Sequence, residues 1–105
     1  MNISLLVLRC TNIELSRDFY SKLGLSFIEE KHGDGPRHYS CEIDGMILEL
    51  YPNKGEALQE NIRLGFKVDN LESVLEQVIV ASTYVYAGSA IYVITDPDGR
   101  KVELS

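Results

Sequence analysis

Two glutamates, Glu49 and Glu103, occupy the same place in a stretch of sequence that occurs twice. Residues 44–50 read Asp-Gly-Met-Ile-Leu-Glu-Leu, and residues 98–104 read Asp-Gly-Arg-Lys-Val-Glu-Leu. Two carboxylates that meet at one site can act as a general acid and base, or they can bind a divalent metal ion. Two glutamates on a solvated face can also be inert, each held in a salt bridge. All three interpretations are open from the sequence, and Glu49 and Glu103 are the candidate catalytic residues.

Two histidines, His32 and His38, lie on either side of the Gly-Asp-Gly-Pro segment at residues 33–36. No carboxylate stands at a spacing typical of metal ligands beside them, so we predict no metal site from this pair. A histidine at the end of a strand is more often a surface residue than a ligand. His38, however, alternates in phase with Ser40 and Glu42, so it is a candidate for contact with a molecule bound on the polar face of that strand.

The chain has six tyrosines and no tryptophan. Tyr51 and Tyr92 are expected on the polar faces of their strands, with Tyr92 opposite Glu103 if the turn between the last two strands has four residues. Tyrosines that line a cleft suit planar or aromatic ligands, because their rings stack and their hydroxyls form hydrogen bonds. The remaining strand tyrosines are expected only to pack within the sheets, where tyrosine is common: Tyr39, Tyr84 and Tyr86.

The elements that carry these residues also repeat. A second pair of similar segments, residues 8–14 and 66–72, occurs in the same order in each half, which predicts a duplicated unit. Each half reads as a strand, a helix and three more strands. The first half is predicted to form strand 3–9, helix 14–23 and strands 25–31, 37–43 and 46–51. The second half is predicted to form strand 62–68, helix 71–80 and strands near 84–87, 90–95 and 100–104.

We predict a single domain over residues 1–105, built from two repeats at about 1–51 and 62–105. The segment 52–61 contains proline, glycine and charged residues without a clear period, so it is predicted to be the linker. The first helix is expected to bury three apolar residues at four-residue spacing: Leu15, Phe19 and Leu23.

Alternation along the strands predicts two different faces for each sheet. The apolar positions, such as Leu48 and Leu64, are expected to pack against the helix of the same half. The other face carries charge, glycine and tyrosine, which suits a wet cleft better than a core. The side chains expected to contact a ligand in that cleft are Leu5, Val7, His38, Tyr51, Arg63, Lys67 and Tyr92.

Two motifs resemble those of a known superfamily. Residues 12–20 read Asn-Ile-Glu-Leu-Ser-Arg-Asp-Phe-Tyr and lead to Leu-Gly-Leu, and residues 96–99 read Asp-Pro-Asp-Gly and lead to Val-Glu-Leu. Together they resemble the vicinal oxygen chelate superfamily of glyoxalases, bleomycin resistance proteins and extradiol dioxygenases. The resemblance covers essentially the whole chain. It implies an α+β fold in which two βαβββ modules form a cleft between curved mixed sheets, and it implies a homodimer, with the modules swapped in some relatives.

In metal-dependent members of that superfamily, four cleft side chains hold a divalent ion, one from the first and one from the last strand of each module. The resemblance places these positions at Leu5, Glu49, Arg63 and Glu103. Leu5 has no donor atom and Arg63 is permanently cationic, so we predict no metal and no other cofactor there. Arg63 is expected to take the place of the metal charge by pairing with Glu49, Glu103 or both.

Charge and composition restrict the partners. The formal net charge of −6, with scattered basic residues, argues against nucleic acid as the main partner. The apolar N-terminal stretch is too short to span a bilayer and lacks a basic lead-in, so we predict no export signal, no membrane partner and a cytoplasmic location. Cys10 and Cys41 fall on apolar positions and are expected to be buried, unreactive thiols.

The favoured hypothesis is a metal-free homodimer of the bleomycin-resistance type that holds a small molecule in its cleft, with aromatic compounds as the first candidates. The alternative is an enzyme of the same superfamily: a lyase, isomerase or dioxygenase-like protein that uses a divalent metal or one glutamate as a base. A domain that serves mainly by dimerising is also compatible with the sequence, because a fold of this kind does not fix the chemistry.

Overall fold

The computed structural model describes residues 1–55 and 61–105, and it contains two four-stranded mixed sheets. The first module consists of β1 (Leu5–Cys10), α1 (Ile13–Ser21), β2 (Ile28–Glu30), β3 (His38–Ile43) and β4 (Met46–Pro52). The second consists of β5 (Arg63–Phe66), α2 (Leu71–Leu75), β6 (Ser82–Tyr86), β7 (Ser89–Thr95) and β8 (Lys101–Leu104). The predicted α+β fold of two βαβββ modules is confirmed. Part of the predicted linker, residues 56–60, lies outside the described residues.

In each module the first strand pairs with the last. The strand order is β1-β4-β3-β2 in the first sheet and β5-β8-β7-β6 in the second. The β1–β4 and β5–β8 pairs are parallel, which requires a crossover connection, and the helix of each module forms part of it. The β3–β4 hairpin turns at Asp44 and Gly45 with φ angles of 47° and 88°. Such a turn needs positive φ at both central residues, which explains the Asp-Gly pair.

The bounds of some elements differ from those that the sequence predicts. α2 ends at Leu75 rather than at residue 80, because the run of β-branched residues at 78–80 favours helix poorly. β2 spans only Ile28–Glu30, and β6 begins at Ser82, two residues before its predicted start at residue 84. In the described ranges, no helix is long and apolar enough to cross a membrane.

The buried face of α1 also differs from the prediction. Phe19 and Leu23 pack against the core as expected, but Leu15 is 56% exposed. The residues of α1 that are buried lie three and four positions apart, which is the spacing of one helix face: Ile13, Ser16 and Tyr20. The helix begins with Asn12 as its N-cap, whose side chain accepts a hydrogen bond from the backbone N–H of Leu15 at 3.0 Å.

Each sheet buries one face in a continuous hydrophobic core. The core residues of the strands are fully or almost fully buried: Leu8, Leu48 and Leu50 in the first sheet, and Ile94, Val102 and Leu104 in the second. Cys10 and Cys41 belong to the same core, are not joined in a disulfide, and have thiol pKa values raised by burial. The apolar positions predicted from alternation therefore form the core.

A buried polar network joins the two modules, and we call it the module junction: Arg9, Tyr20, Asp96, Asp98 and Arg100. The Asp96 carboxylate accepts hydrogen bonds from the Tyr20 hydroxyl at 2.7 Å and from Arg100 Nη1 at 3.0 Å. It also accepts from the backbone N–H groups of Asp98 and Arg100 at 2.9 and 3.0 Å. The Arg100 guanidinium in turn donates to the backbone carbonyl of Arg9 in β1. The Asp-Pro-Asp-Gly turn of the second module is thus fixed to the helix and first strand of the first.

Candidate functional site

Each sheet has a face opposite its core, which we call its open face. Side chains of paired residues point to the same side of a sheet, so the strand register assigns them. The open face of the first sheet carries Leu5, Val7, His38, Ser40, Ile47, Glu49 and Tyr51. The open face of the second sheet carries Arg63, Gly65, Tyr84, Val93, Lys101 and Glu103. Glu49 and Glu103 occupy equivalent places on the two faces, as the repeat predicts.

On the first open face, Glu49 lies beside a buried histidine. The His38 side chain is 1% exposed, and its Nε2 atom lies 3.4 Å from Glu49 Oε2. The His38 ring stacks on Tyr51 with 4.2 Å between ring centroids, and the guanidinium of Arg9 covers the Tyr51 ring at 5.0 Å. The Nδ1 atom of His38 lies 3.1 Å from the carbonyl oxygen of Pro36. Because Nδ1 lies against the Pro36 carbonyl, the Nε2 atom is the one left to accept a proton or to bind a ligand beside the carboxylate.

On the second open face, Glu103 has two partners. Its Oε1 atom lies 3.1 Å from Arg63 Nη1 and accepts a hydrogen bond of 2.6 Å from the Tyr84 hydroxyl. The hydrogen bond to the Glu103 carboxylate raises the pKa of Tyr84, because the phenolate would lie against another anion. Arg63 therefore does pair with one glutamate, as the sequence predicts, and that glutamate is Glu103.

The two glutamates do not form one site within a single chain. Glu49 belongs to the first sheet and pairs with His38, whereas Glu103 belongs to the second sheet and pairs with Arg63. Within the described parts of the chain, no hydrogen bond or ion pair joins one cluster to the other. Arg63 compensates Glu103 alone, so its removal leaves one carboxylate without its cation rather than two.

The other predicted ligand contacts are placed as follows. Leu5 and Val7 lie on the first open face beside Ile47 and Glu49, their partners in β4. Lys67 is exposed just beyond the end of β5, where it lines a groove of about 550 Å³ between the two helices. Lys67 also lines a smaller cleft of about 200 Å³ together with Gly65, Ile91 and Glu103, so it lies at the edge of the second open face.

The placement of Tyr92 on the cleft side is wrong. Tyr92 pairs with Leu104, which is fully buried in the core, and the residue opposite Glu103 is Val93. The prediction assumed a four-residue turn, whereas Thr95 pairs with Lys101 and leaves five residues between the strands. The extra residue shifts the register by one and moves Tyr92 to the helix side of the sheet.

Two residues of the open faces, Tyr84 and Glu30, were missed as candidates. Tyr84 was expected only to pack within the sheet, yet it binds Glu103. His32 and His38 were considered as a pair without Glu30, because a search along the sequence does not show which residues a hairpin brings side by side. β2 pairs with β3 so that Glu30 stands opposite His38, and this pairing could be found by taking the β2–β3 hairpin register into account.

The metal positions implied by the family resemblance do not fit a metal ion. Leu5 is 53% exposed and supplies no ligand atom. The guanidinium of Arg63 lies against the Glu103 carboxylate, and its permanent positive charge would repel a metal ion there. Glu49 and Glu103, the only possible ligands of the set, belong to separate sheets. We therefore derive no chemistry from a metal at these positions.

Comparisons with known proteins agree with this architecture. The model of the Glyoxalase/Bleomycin resistance protein/Dioxygenase superfamily matches residues 2–104, while no curated protein sequence matches significantly. A lactoylglutathione lyase from Agrobacterium tumefaciens is similar over 98% of this chain and 91% of that chain, with 17% identity and a TM-score of 0.71. The oxidase ChaP-H2 is similar over 99% and 91%, with 16% identity and a TM-score of 0.78.

An integron cassette protein from the mobile metagenome of V. cholerae is 24% identical over 99% of this chain and 93% of that chain, with a TM-score of 0.68. At these identities, the likeness to solved structures shows the fold alone, and fold does not fix chemistry. The family match, by contrast, extends over nearly the whole sequence. The chain belongs to the Glyoxalase/Bleomycin resistance protein/Dioxygenase superfamily.

Proposed function

We propose that this protein binds a small molecule on its open faces, in the manner of the bleomycin resistance branch of the family, and needs no metal ion at the family's metal positions. The observation that carries the proposal is the cluster of Arg63, Glu103 and Tyr84. A guanidinium already neutralises the carboxylate that would otherwise bind the ion. What remains is a polar surface with aromatic rings and apolar side chains, which suits binding rather than metal-dependent chemistry.

The lining residues favour a planar or aromatic ligand with a hydrogen-bonding or cationic group. Tyr84 provides a ring on the second open face. On the first, Tyr51 provides a hydroxyl, because its ring already contacts His38 and Arg9, and Leu5 and Val7 provide an apolar floor. Glu49 adds an acceptor whose side chain is 17% exposed. Stacking on a tyrosine ring contributes binding energy beyond the buried area, and a charged hydrogen bond fixes the orientation.

We propose that the functional cleft forms between two copies of the chain. Three aliphatic side chains of the first open face are exposed in the single chain: Leu5 at 53%, Ile28 at 63% and Ile47 at 36%. On the second open face Tyr84 is 41% exposed. Exposed apolar side chains that share one face of a sheet suit an interface. In a homodimer, the first open face of one copy can meet the second open face of its partner, so that the two clusters line one cleft.

The test of the binding proposal is thermal unfolding in EDTA with a panel of planar aromatic compounds that carry positive, zero or negative charge. A compound present at about a hundred times its dissociation constant adds roughly 2.7 kcal/mol, which is about 10 °C for a domain of this size. The stabilisation should fall in Glu103→Gln and persist in Glu76→Gln, a matched change at an exposed carboxylate far from the open faces. Stabilisation by none of the compounds, or only after metal is added back, refutes the proposal.

A second candidate function is favoured by the contact between His38 and Glu49. A carboxylate 3.4 Å from a buried imidazole nitrogen is an arrangement that can move a proton without a metal, as a glutamate-based lyase or isomerase requires. The relative named lactoylglutathione lyase suggests the substrate to try, the hemithioacetal of methylglyoxal and glutathione. Thioester formation by metal-stripped protein that falls about a hundredfold in Glu49→Gln, but not in Glu76→Gln, supports this candidate. No turnover excludes that reaction.

A cytoplasmic location is part of the proposal. It is supported by Cys10 and Cys41, which are buried and not joined to each other. Unpaired thiols are usual in reducing compartments and less usual in exported proteins. Fractionation of cells that express the tagged protein tests this assignment, and recovery outside the cytoplasm contradicts it.

A further inference from the structure

The β2–β3 hairpin brings three potential metal ligands together on the first open face. Glu30, at the end of β2, pairs with His38, at the start of β3, and His32 lies in the connecting loop. One ligand atom from each of the three lies within 4.8 Å of the others. His32 Nε2 is 3.1 Å from Glu30 Oε2, and the two imidazole rings are 5.3 Å apart. None of these residues occupies a position at which the family places its metal.

A tight turn holds His32 in this place. The loop folds back through a hydrogen bond of 2.9 Å from the Gly35 N–H to the His32 carbonyl oxygen. A side chain at Gly35 would meet that oxygen at 3.0 Å, and Gly33 has a φ of 57°, so both positions favour glycine. The turn thus fixes the backbone of His32, and its side chain, 70% exposed, lies against Glu30 on the side of His38.

The second observation is an unsatisfied nitrogen on His38. Its side chain is 1% exposed, and Nε2 makes no hydrogen bond with any described residue. We infer the tautomer from the Pro36 carbonyl, which accepts the proton of Nδ1 at 3.1 Å and leaves a lone pair on Nε2. That lone pair faces the Glu49 carboxylate at 3.4 Å, and neither group can donate to the other. A buried acceptor without a donor is costly, and a cation bound to it removes the cost.

We propose that Glu30, His32 and His38 bind one divalent transition-metal ion such as Zn²⁺ or Co²⁺. Two imidazoles and one carboxylate are the ligand set of transition metals rather than of Mg²⁺ or Ca²⁺, which prefer oxygen ligands alone. Glu49 lies near enough to balance the charge of the ion. With three protein ligands, the ion keeps at least one coordination position for water or for a bound molecule. This site is additional to the proposed small-molecule binding, which does not depend on it.

The test is isothermal titration of EDTA-stripped protein with Zn²⁺, together with the visible absorption spectrum of the Co²⁺ form. We expect one ion per chain and a Co²⁺ spectrum typical of nitrogen and oxygen ligands. His32→Ala and Glu30→Gln, at the two less buried ligands, should each lower the Zn²⁺ affinity tenfold or more, about the size expected for losing a direct contact. Glu29→Gln is the matched control, because Glu29 is the neighbouring carboxylate and pairs with Tyr39 on the other face of β2.

Three results overturn the proposal. Absence of Zn²⁺ binding does so directly. Zn²⁺ affinity that is unchanged in both His32→Ala and Glu30→Gln excludes the cluster. Affinity lost in Glu103→Gln and kept in His32→Ala places the ion at the family's own position. Because the small-molecule test is done in EDTA, its outcome and the outcome of this titration are independent.

Discussion

The module junction predicts a large, measurable cost for one missing hydroxyl. Tyr20 is fully buried, and its hydroxyl donates a hydrogen bond of 2.7 Å to Asp96. Tyr20→Phe removes only that hydroxyl. The ring stays in place beside Phe66, with 6.2 Å between the ring centroids. A hydrogen bond to a charged group contributes about 1.5–3 kcal/mol. Since three other donors still bind the Asp96 carboxylate, we expect the lower part of that range, about 1.5–2 kcal/mol.

Asp96→Asn should cost more, because it removes the charge that faces a buried guanidinium. The side chains of Asp96 and Arg100 are 0% and 1% exposed, and loss of one partner from such a pair costs about 3–5 kcal/mol. Asp98 lies 3.6 Å from Arg100 Nη1 and compensates part of the charge, so we expect about 3 kcal/mol.

Urea unfolding at one fixed protein concentration measures both costs, since dimerisation would make stability depend on concentration. Tyr86→Phe is the control, because Tyr86 is 71% exposed and its change should stay within about 0.5 kcal/mol. In a double-mutant cycle, Tyr20→Phe should cost clearly less in the Asp96→Asn background than in the wild type. If Tyr20→Phe is as mild as Tyr86→Phe, or if the two junction changes are additive, then the hydrogen bond does not join the modules as we argue.

Three further outcomes are expected. Cys10 and Cys41 should resist a thiol reagent at pH 8 in the folded protein, because burial raises both thiol pKa values. Both should react fully in guanidinium, and fast labelling of the native form contradicts the prediction. Ile47→Glu should give a monomer in sedimentation, because it puts a charge on the exposed apolar surface of the first open face, and an unchanged mass excludes that face as the interface. Arg63→Ala should lower the free energy of unfolding by about 0.5 kcal/mol in the same urea assay, because the Arg63 side chain is 49% exposed and solvent weakens its pair with Glu103. A loss above about 2 kcal/mol means that the pair is buried in the dimer.

The sequence repeat was sufficient to predict which glutamates are equivalent and which faces they share. Strand side chains alternate between the two faces of a sheet. Glu49 and Glu103 are therefore predicted on the face that does not carry their core neighbours, which are Leu48, Leu50, Val102 and Leu104. The Asp-Gly pair then fixed the β3–β4 turn, because only a few residue types accept positive φ there. Both features depend on residues that are close together in the sequence, which is why the sequence predicts them.

The errors arose where one residue of register or a contact distant in sequence decides the outcome. The β7–β8 connection has five residues because the Asp96 backbone N–H donates to the Arg100 carbonyl at 2.9 Å while the Asp96 side chain holds the turn from inside. That extra residue moved Tyr92 into the core. The partner of Glu49 was missed for a similar reason, since the contact depends on how β3 and β4 pair and not on the spacing of His38 and Glu49 along the chain.

The two open faces show how a duplicated frame can carry different chemistry in each half. Glu49 and Glu103 hold equivalent places, but the groups beside them differ in kind. Arg63 is a permanent cation, so its pair with Glu103 is complete and has no capacity for a metal ion. Glu49 has no permanent cation beside it among the described residues, and the nitrogen that faces it, His38 Nε2, makes no hydrogen bond there. If Zn²⁺ binds the proposed cluster and changes ligand binding, we expect it to act through the first open face. That effect should disappear in His32→Ala while the Glu103 cluster continues to bind.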